Sequence, residues 1–150
     1  MVIGKYLSLA ECIKSPTAIK LGIANIPTMS QVEAMKELCK HIYDPLCEHF
    51  ACKLPFNSFF RCDDLNKAIG GAKNSQHCKG EAIDLDLDSR AIGVSNRELF
   101  EYIRDHVDFD QLIWEFDGAW VHVSYSALTQ PRKQVLTASR VGKVTTYKPL

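Results

Sequence analysis

Apolar residues recur at three- or four-residue spacing through Met35, Leu38, Cys39, Ile42, Leu46 and Phe50, which predicts a long helix with one face against a core. Ser30 and Glu33 read as a capping-box pair ahead of it. Pro45 has no N–H to donate and predicts a kink near Tyr43 and Asp44. A short helix is predicted between Ser15-Pro16 and Gly22, packed as an N-terminal flap. Ser95 and Glu98 make a second capping box, followed by the stripe Leu99, Ile103 and Val107.

The period changes to two in Ala82-Ile83-Asp84-Leu85-Asp86-Leu87-Asp88, predicting a strand with its apolar side on the core and its aspartates on the other. Leu54 to Phe60 reads as another strand, and Asp63 to Ile69 as a helix stopped by Gly70-Gly71. Gln111 to Phe116, an Asp117-Gly118 turn and Ala119 to Tyr125 read as a hairpin. Closing it there sets Phe116 opposite Ala119, Glu115 opposite Trp120 and Ile113 opposite His122. Glu115, Trp120 and His122 then share one face, with Trp114 and Val121 on the reverse. Gln134 to Thr137 and Val144 to Tyr147 add edge strands. The fold class is α+β (mixed α/β), a central antiparallel sheet with flanking helices. With no repeat or linker in the pattern, residues 1–150 read as a single domain with a basic C-terminal segment, 127–150.

Composition narrows the function classes. No apolar run reaches the roughly 18 residues of a membrane span, so stable membrane insertion is not expected. Eighteen Lys and Arg balance eighteen Asp and Glu, which offers nucleic acid no overall electrostatic footprint. The charge is uneven: eleven acids lie between Glu81 and Asp117, whereas Arg132, Lys133, Arg140, Lys143 and Lys148 follow Ser126 with no acid among them. That basic end reads either as a solvated face or as a contact for an anionic polymer. The six cysteines form no CxxC pair and read as reduced, mostly buried thiols. Met1 to Ala10 lacks the apolar stretch of a signal peptide, so synthesis in a cytoplasm is expected.

The candidate chemistry lies in Ser75-Gln76-His77-Cys78-Lys79-Gly80-Glu81-Ala82-Ile83-Asp84 and in Trp120-Val121-His122. His77 before a strand, Asp84 within it and His122 on the hairpin could converge as two imidazoles and a carboxylate. Such a set suits Zn2+ and leaves a fourth position for water. On spacing alone, His77 and Asp84 equally fit ordinary loop and sheet-surface roles, and His122 a half-buried core histidine. Asp86 is open as an acceptor behind the ligands, and Asp88 as a solvated strand end. Cys78, next to His77, is expected to point away.

From about Leu7 through Ala138 the chain resembles the zinc D-Ala-D-Ala carboxypeptidases and peptidoglycan endopeptidases of the M15 peptidase group, in its compact bacterial and phage branch. The pattern Ser-x-His-x-x-Gly-x-Ala-x-Asp stands here at Ser75, His77, Gly80, Ala82 and Asp84, and a second signature at Trp120-Val121-His122-Val123-Ser124-Tyr125. Phe60-Arg61-Cys62-Asp63-Asp64-Leu65-Asn66 matches a third segment, with Phe59 where relatives carry glycine, a departure expected to narrow the cleft or change which peptide fits. The resemblance implies that His77, Asp84 and His122 hold the zinc, that Arg61 binds a substrate carboxylate or the polarised carbonyl oxygen, and that Ser75 orders the ligand loop or binds substrate. Many relatives carry Glu three residues before the last histidine, where this chain has Ala119. Glu115, returned to the same face by the hairpin, is expected to be the general base instead, and Trp120 to cover the substrate.

The function implied is zinc-dependent hydrolysis of peptide bonds in peptidoglycan stems or cross-links, by a DD-carboxypeptidase or an endopeptidase. The alternative is a non-catalytic peptidoglycan-binding or virion structural module that keeps the zinc fold. The expected setting is a monomer made in a bacterial host cytoplasm and acting at the cell wall or periplasm. A bacteriophage endolysin delivered with a holin, or a virion-associated hydrolase, fits that setting.

Overall fold

In the computed structural model, which describes residues 1–150, α1 (Leu9–Cys12) and α2 (Pro16–Leu21) precede the first long helix. Ser15 caps α2 and Gly22 ends it in a left-handed conformation, as the sequence predicts. The long helix starts earlier than expected. Thr28, not Ser30, caps α3 (Met29–Leu38), because Thr28 and Gln31 satisfy each other's backbone N–H groups reciprocally, while Glu33 pairs with Lys36 instead. A π-helical turn over Cys39–Tyr43 joins α3 to α4 (Asp44–Phe50), and its wider register lets Asp44 N–H reach the Cys39 carbonyl just before Pro45. Proline is thus absorbed without ending the helix.

Strand β1 (Phe56–Ser58) is shorter than the seven apolar-rich residues predicted, because Phe59 and Phe60 both turn into the core. Their carbonyls serve side chains rather than a ladder: Phe59 O meets His77 Nδ1 at 2.7 Å and Phe60 O accepts from Asn25 at 3.1 Å. Helix α5 (Asp63–Ala68) and a 3₁₀ turn at Gln76–Lys79 lead to β2 (Ala82–Leu85). The clean alternation through Asp88 predicts a longer strand. It stops at Leu85 because Leu87 N–H instead donates to buried Asn96 at 2.7 Å, and Asn96 donates to Asp86 at 3.1 Å.

After α6 (Asn96–His106), capped by Ser95 and Glu98 as predicted, come β3 (Gln111–Glu115), β4 (Trp120–Ser124), β5 (Gln134–Val141) and β6 (Val144–Pro149). The hairpin register is the expected one, Glu115 opposite Trp120 and Ile113 opposite His122. Its turn differs: Phe116, Asp117 and Gly118 all have positive φ, and Ala119 N–H closes it on Glu115 O at 2.9 Å, so Phe116 and Ala119 do not pair as strand residues. Gly118 is required there, since a Cβ would sit 2.2 Å from the Trp114 ring.

The six strands form one sheet in the order β1-β2-β4-β3-β5-β6. It is antiparallel except between β3 and β5, where Lys133 and Gln134 bond back to Phe109 and Asp110 and start β5 alongside the beginning of β3. One face packs Ile83, Leu85, Leu112, Val121 and Val123 against α3, α4 and α6 in the main core. The other carries a small apolar floor of Ile113, Leu136 and Ala138 beneath an open cleft. No helix is long and apolar enough to cross a membrane.

Candidate metal centre and cleft

Asp84 and His122 are direct partners across β2 and β4, so strand pairing alone brings residues distant in sequence onto one face. His77 is delivered by the 3₁₀ turn. Ser75 caps that turn by accepting from His77 N–H at 3.3 Å, and Gly80 ends it with φ 75°. A Cβ on Gly80 would lie 2.6 Å from the Gln31 carbonyl, so α3 can approach the loop only over a glycine.

One ligand atom from each of His77, Asp84 and His122 lies within 4.8 Å of the others, and all three residues are buried. His77 Nε2 and His122 Nδ1 each stand 3.1 Å from Asp84 Oδ1. Burial opposes the charge on Asp84, yet the charge of His77 and the hydrogen bond and charge of His122 hold its carboxyl far below the usual range.

The opposite ring nitrogens are committed elsewhere. His77 Nδ1 donates to the Phe59 carbonyl, which leaves the buried Nε2 facing Asp84 Oδ1 at 3.1 Å without an aligned hydrogen bond. His122 Nε2 donates to Gln76 Oε1 at 3.0 Å, leaving Nδ1 toward Asp84. Gln76 is itself oriented, since its Nε2 donates to Asp110 Oδ2 at 3.1 Å, and Arg132 donates to both oxygens of Asp110 at 2.9 Å. The Arg132 contact keeps the Asp110 carboxyl below its usual range. With the outer ring nitrogens committed, each neutral imidazole can exchange its inward contact with Asp84 for a lone pair aimed at a divalent metal. Two nitrogens and a carboxylate oxygen around one point, one of the nitrogens buried without an aligned hydrogen bond, fit an ion such as Zn2+.

Glu115 lies on the same face, 7% exposed, in a cleft of about 1190 Å³ that also contains Arg61, Ser75, Asp84, Trp120 and His122. Burial pushes its carboxyl up to about 7, against the pull of His122, Arg61 and Arg140. Arg61 makes no salt bridge with neighbouring Asp63 or Asp64; it donates to Ser75 Oγ at 3.3 Å, and its buried Nε has no partner. Buried Asn25 shapes that segment by donating to Ile13 O and Phe60 O and accepting from Cys62 N–H.

Other expectations change. Phe59 does not narrow the cleft; its ring is in the core against Phe56, and the site uses only its carbonyl. Asp86, open as an acceptor behind the ligands, accepts instead from Asn96 and from Ser89 N–H. Cys78 is outside the cluster, in keeping with the expectation that it points away, with burial and then the charge of Asp63 raising its thiol pKa. Trp120 lines the cleft, half-buried against Phe116 at 5.2 Å, and Ala119 is exposed in the turn. Sequence reasoning missed Gln76, Asp110 and Arg132, although Gln76 lies inside the ligand motif. A family model described as Peptidase M15 matches residues 5–124. No curated protein matches the chain.

Proposed function

Because the chain belongs to the M15 peptidase family, we propose that its cleft hydrolyses peptide bonds of peptidoglycan, at a terminal D-amino acid or within a stem or cross-link. The observation that carries this reading is a buried carboxylate with a raised pKa, Glu115, in the same cleft as the His77, Asp84 and His122 cluster. His77 through Nε2, His122 through Nδ1 and Asp84 through Oδ1 would hold the zinc. When bound, zinc supplies Lewis acidity, lowering the pKa of water and polarising a carbonyl.

This chain's own groups do the rest. Glu115 accepts a proton from the attacking water and returns it to the departing amine, a role suited to a carboxylate whose proton affinity burial raises. Arg61, lining the cleft and steadied by Ser75, binds a substrate carboxylate or steadies the developing oxyanion. Trp120 forms part of the cleft wall and covers the peptide. The exposed position of Ala119 supports Glu115 as the base in place of a glutamate in the turn.

The test is incubation of zinc-replete protein with intact sacculi and defined D-amino-acid peptides, with new termini identified by mass spectrometry. Cleavage is expected, lost on zinc removal and in Glu115→Gln, with zinc content unchanged in the variant. Metal-dependent sacculus binding without new termini would overturn the hydrolase reading in favour of a binding module.

A further inference from the structure

The family-matched segment ends at residue 124, yet the chain continues into β5 and β6, which form one side of the same cleft. Strand register places Trp120, Glu115, Ala138 and Tyr147 in a row across β4, β3, β5 and β6. In-register neighbours share a sheet face, so Tyr147 stands on the cleft side, separated from Glu115 only by the methyl of Ala138. Burial and the nearby Glu115 carboxylate raise the Tyr147 phenol pKa.

Arg140, two residues beyond Ala138 on β5, shares that face. Its guanidinium lies 4.9 Å from the Phe116 ring centroid, at the mouth of the cleft. Lys143, in the β5–β6 turn, lines the same wall. Arg132 is already committed to Asp110, whereas neither Arg140 nor Lys143 is paired with a carboxylate of the chain. Of the four acids lining the cleft, Asp84 faces the two imidazoles, Asp110 faces Arg132 and Glu81 stands just before β2. Glu115, within reach of the Arg140 charge, has its pKa raised by burial. The only charged side chains that β5, β6 and their turn offer the cleft are cationic.

Arg61 follows β1 at the other edge of the sheet, so the ligand cluster and Glu115 lie between two unpaired arginines. Three strand spacings separate β2 from β5, about 14 Å, the length of roughly four extended residues.

Resting on the peptidase reading above, we propose that Arg140, with Lys143 and the Tyr147 hydroxyl, forms a carboxylate-binding subsite on the far side of Glu115 from Arg61. It selects peptides that carry a second free carboxylate a few residues from the scissile bond. Peptidoglycan stems offer such a group in the α-carboxylate of their γ-linked D-glutamate, which becomes neutral on amidation.

The experiment uses zinc-loaded Glu115→Gln protein, which keeps the ligand cluster and blocks turnover. It is titrated calorimetrically with the synthetic pentapeptide L-Ala-γ-D-Glu-L-Lys-D-Ala-D-Ala, its glutamate α-carboxyl free or amidated. The free acid is expected to bind about 10-fold more tightly, with the difference lost when Arg140→Gln is added and largely restored by Arg140→Lys. Equal affinities for the two peptides, no binding of either, or an equal loss for both in Arg140→Gln would overturn the subsite. Parallel assays on wild-type protein separate the two readings. Hydrolysis of both peptides with equal kcat/KM removes the subsite and leaves the peptidase; preferential binding of the acid without hydrolysis does the reverse.

Discussion

The two ends of the cleft are built on opposite principles. Around His77, Asp84 and His122 every ring nitrogen is either aimed inward or tied to a partner, and the tie on His122 runs through Gln76 and Asp110 to Arg132. At the β5–β6 wall, Arg140 and Lys143 are exposed and Tyr147 is 47% exposed. A metal centre tolerates little misplacement, so its side chains are held by buried hydrogen bonds on paired strands. A recognition wall works through charge and can change without disturbing that frame. The family match covers the first region and not the second.

The contrast breaks most completely at the ligands. Asp84→Asn removes the charge shared by both imidazoles and is expected to weaken zinc binding by more than about 100-fold, beyond the 10–100-fold typical of losing an orienting partner. Zinc retained after dialysis against a graded chelator measures it; retention equal to wild type would refute the assignment. Gln76→Met keeps volume but frees His122 Nε2, and the expected loss is about 10–100-fold in zinc affinity. The same chelator series checks it, and an unchanged affinity would show the relay to be passive.

A third effect is smaller and depends on pH. Burial raises the Glu115 pKa from about 4.5 to about 7 in the metal-free fold, so the folded state holds this proton more tightly than the unfolded chain does. That contribution is fully present below about pH 4.5 and is lost as pH rises through about 7. Allowing for residual solvent screening, metal-free Glu115→Gln should gain about 2 kcal/mol relative to wild type between pH 4.5 and pH 8. Urea melts of both proteins across that range test it, and a constant difference would contradict the burial argument. Least of all, Arg140→Gln on the exposed wall should change stability by under about 0.5 kcal/mol in the same melts.

Much of the frame was legible because its cues are local. Ser95 and Glu98 cap α6 as read, and the Glu115–Trp120 register follows from the hairpin, although the turn itself uses more residues than the Asp117-Gly118 pair suggests. Local patterns misled where two solutions were equally near. Thr28 and Gln31 compete with Ser30 and Glu33 as a cap, and only the chain's path into α3 distinguishes them.

Residue identity and short-range periodicity therefore determined most of the elements and the facing of Glu115 and His122, since each depends on neighbours along the chain or across one turn, while the ligand set was legible only through the resemblance of whole motifs. Tertiary structure alone decided that Asn96 would end β2, that Phe59 would lend its carbonyl and bury its ring, and that Gln76, Asp110 and Arg132 would orient His122. It also decided that the basic C-terminal residues would wall the cleft. The reason is physical: a buried polar group must find a partner wherever packing places one, and those partners lie between 9 and 46 residues away, where no local pattern marks them.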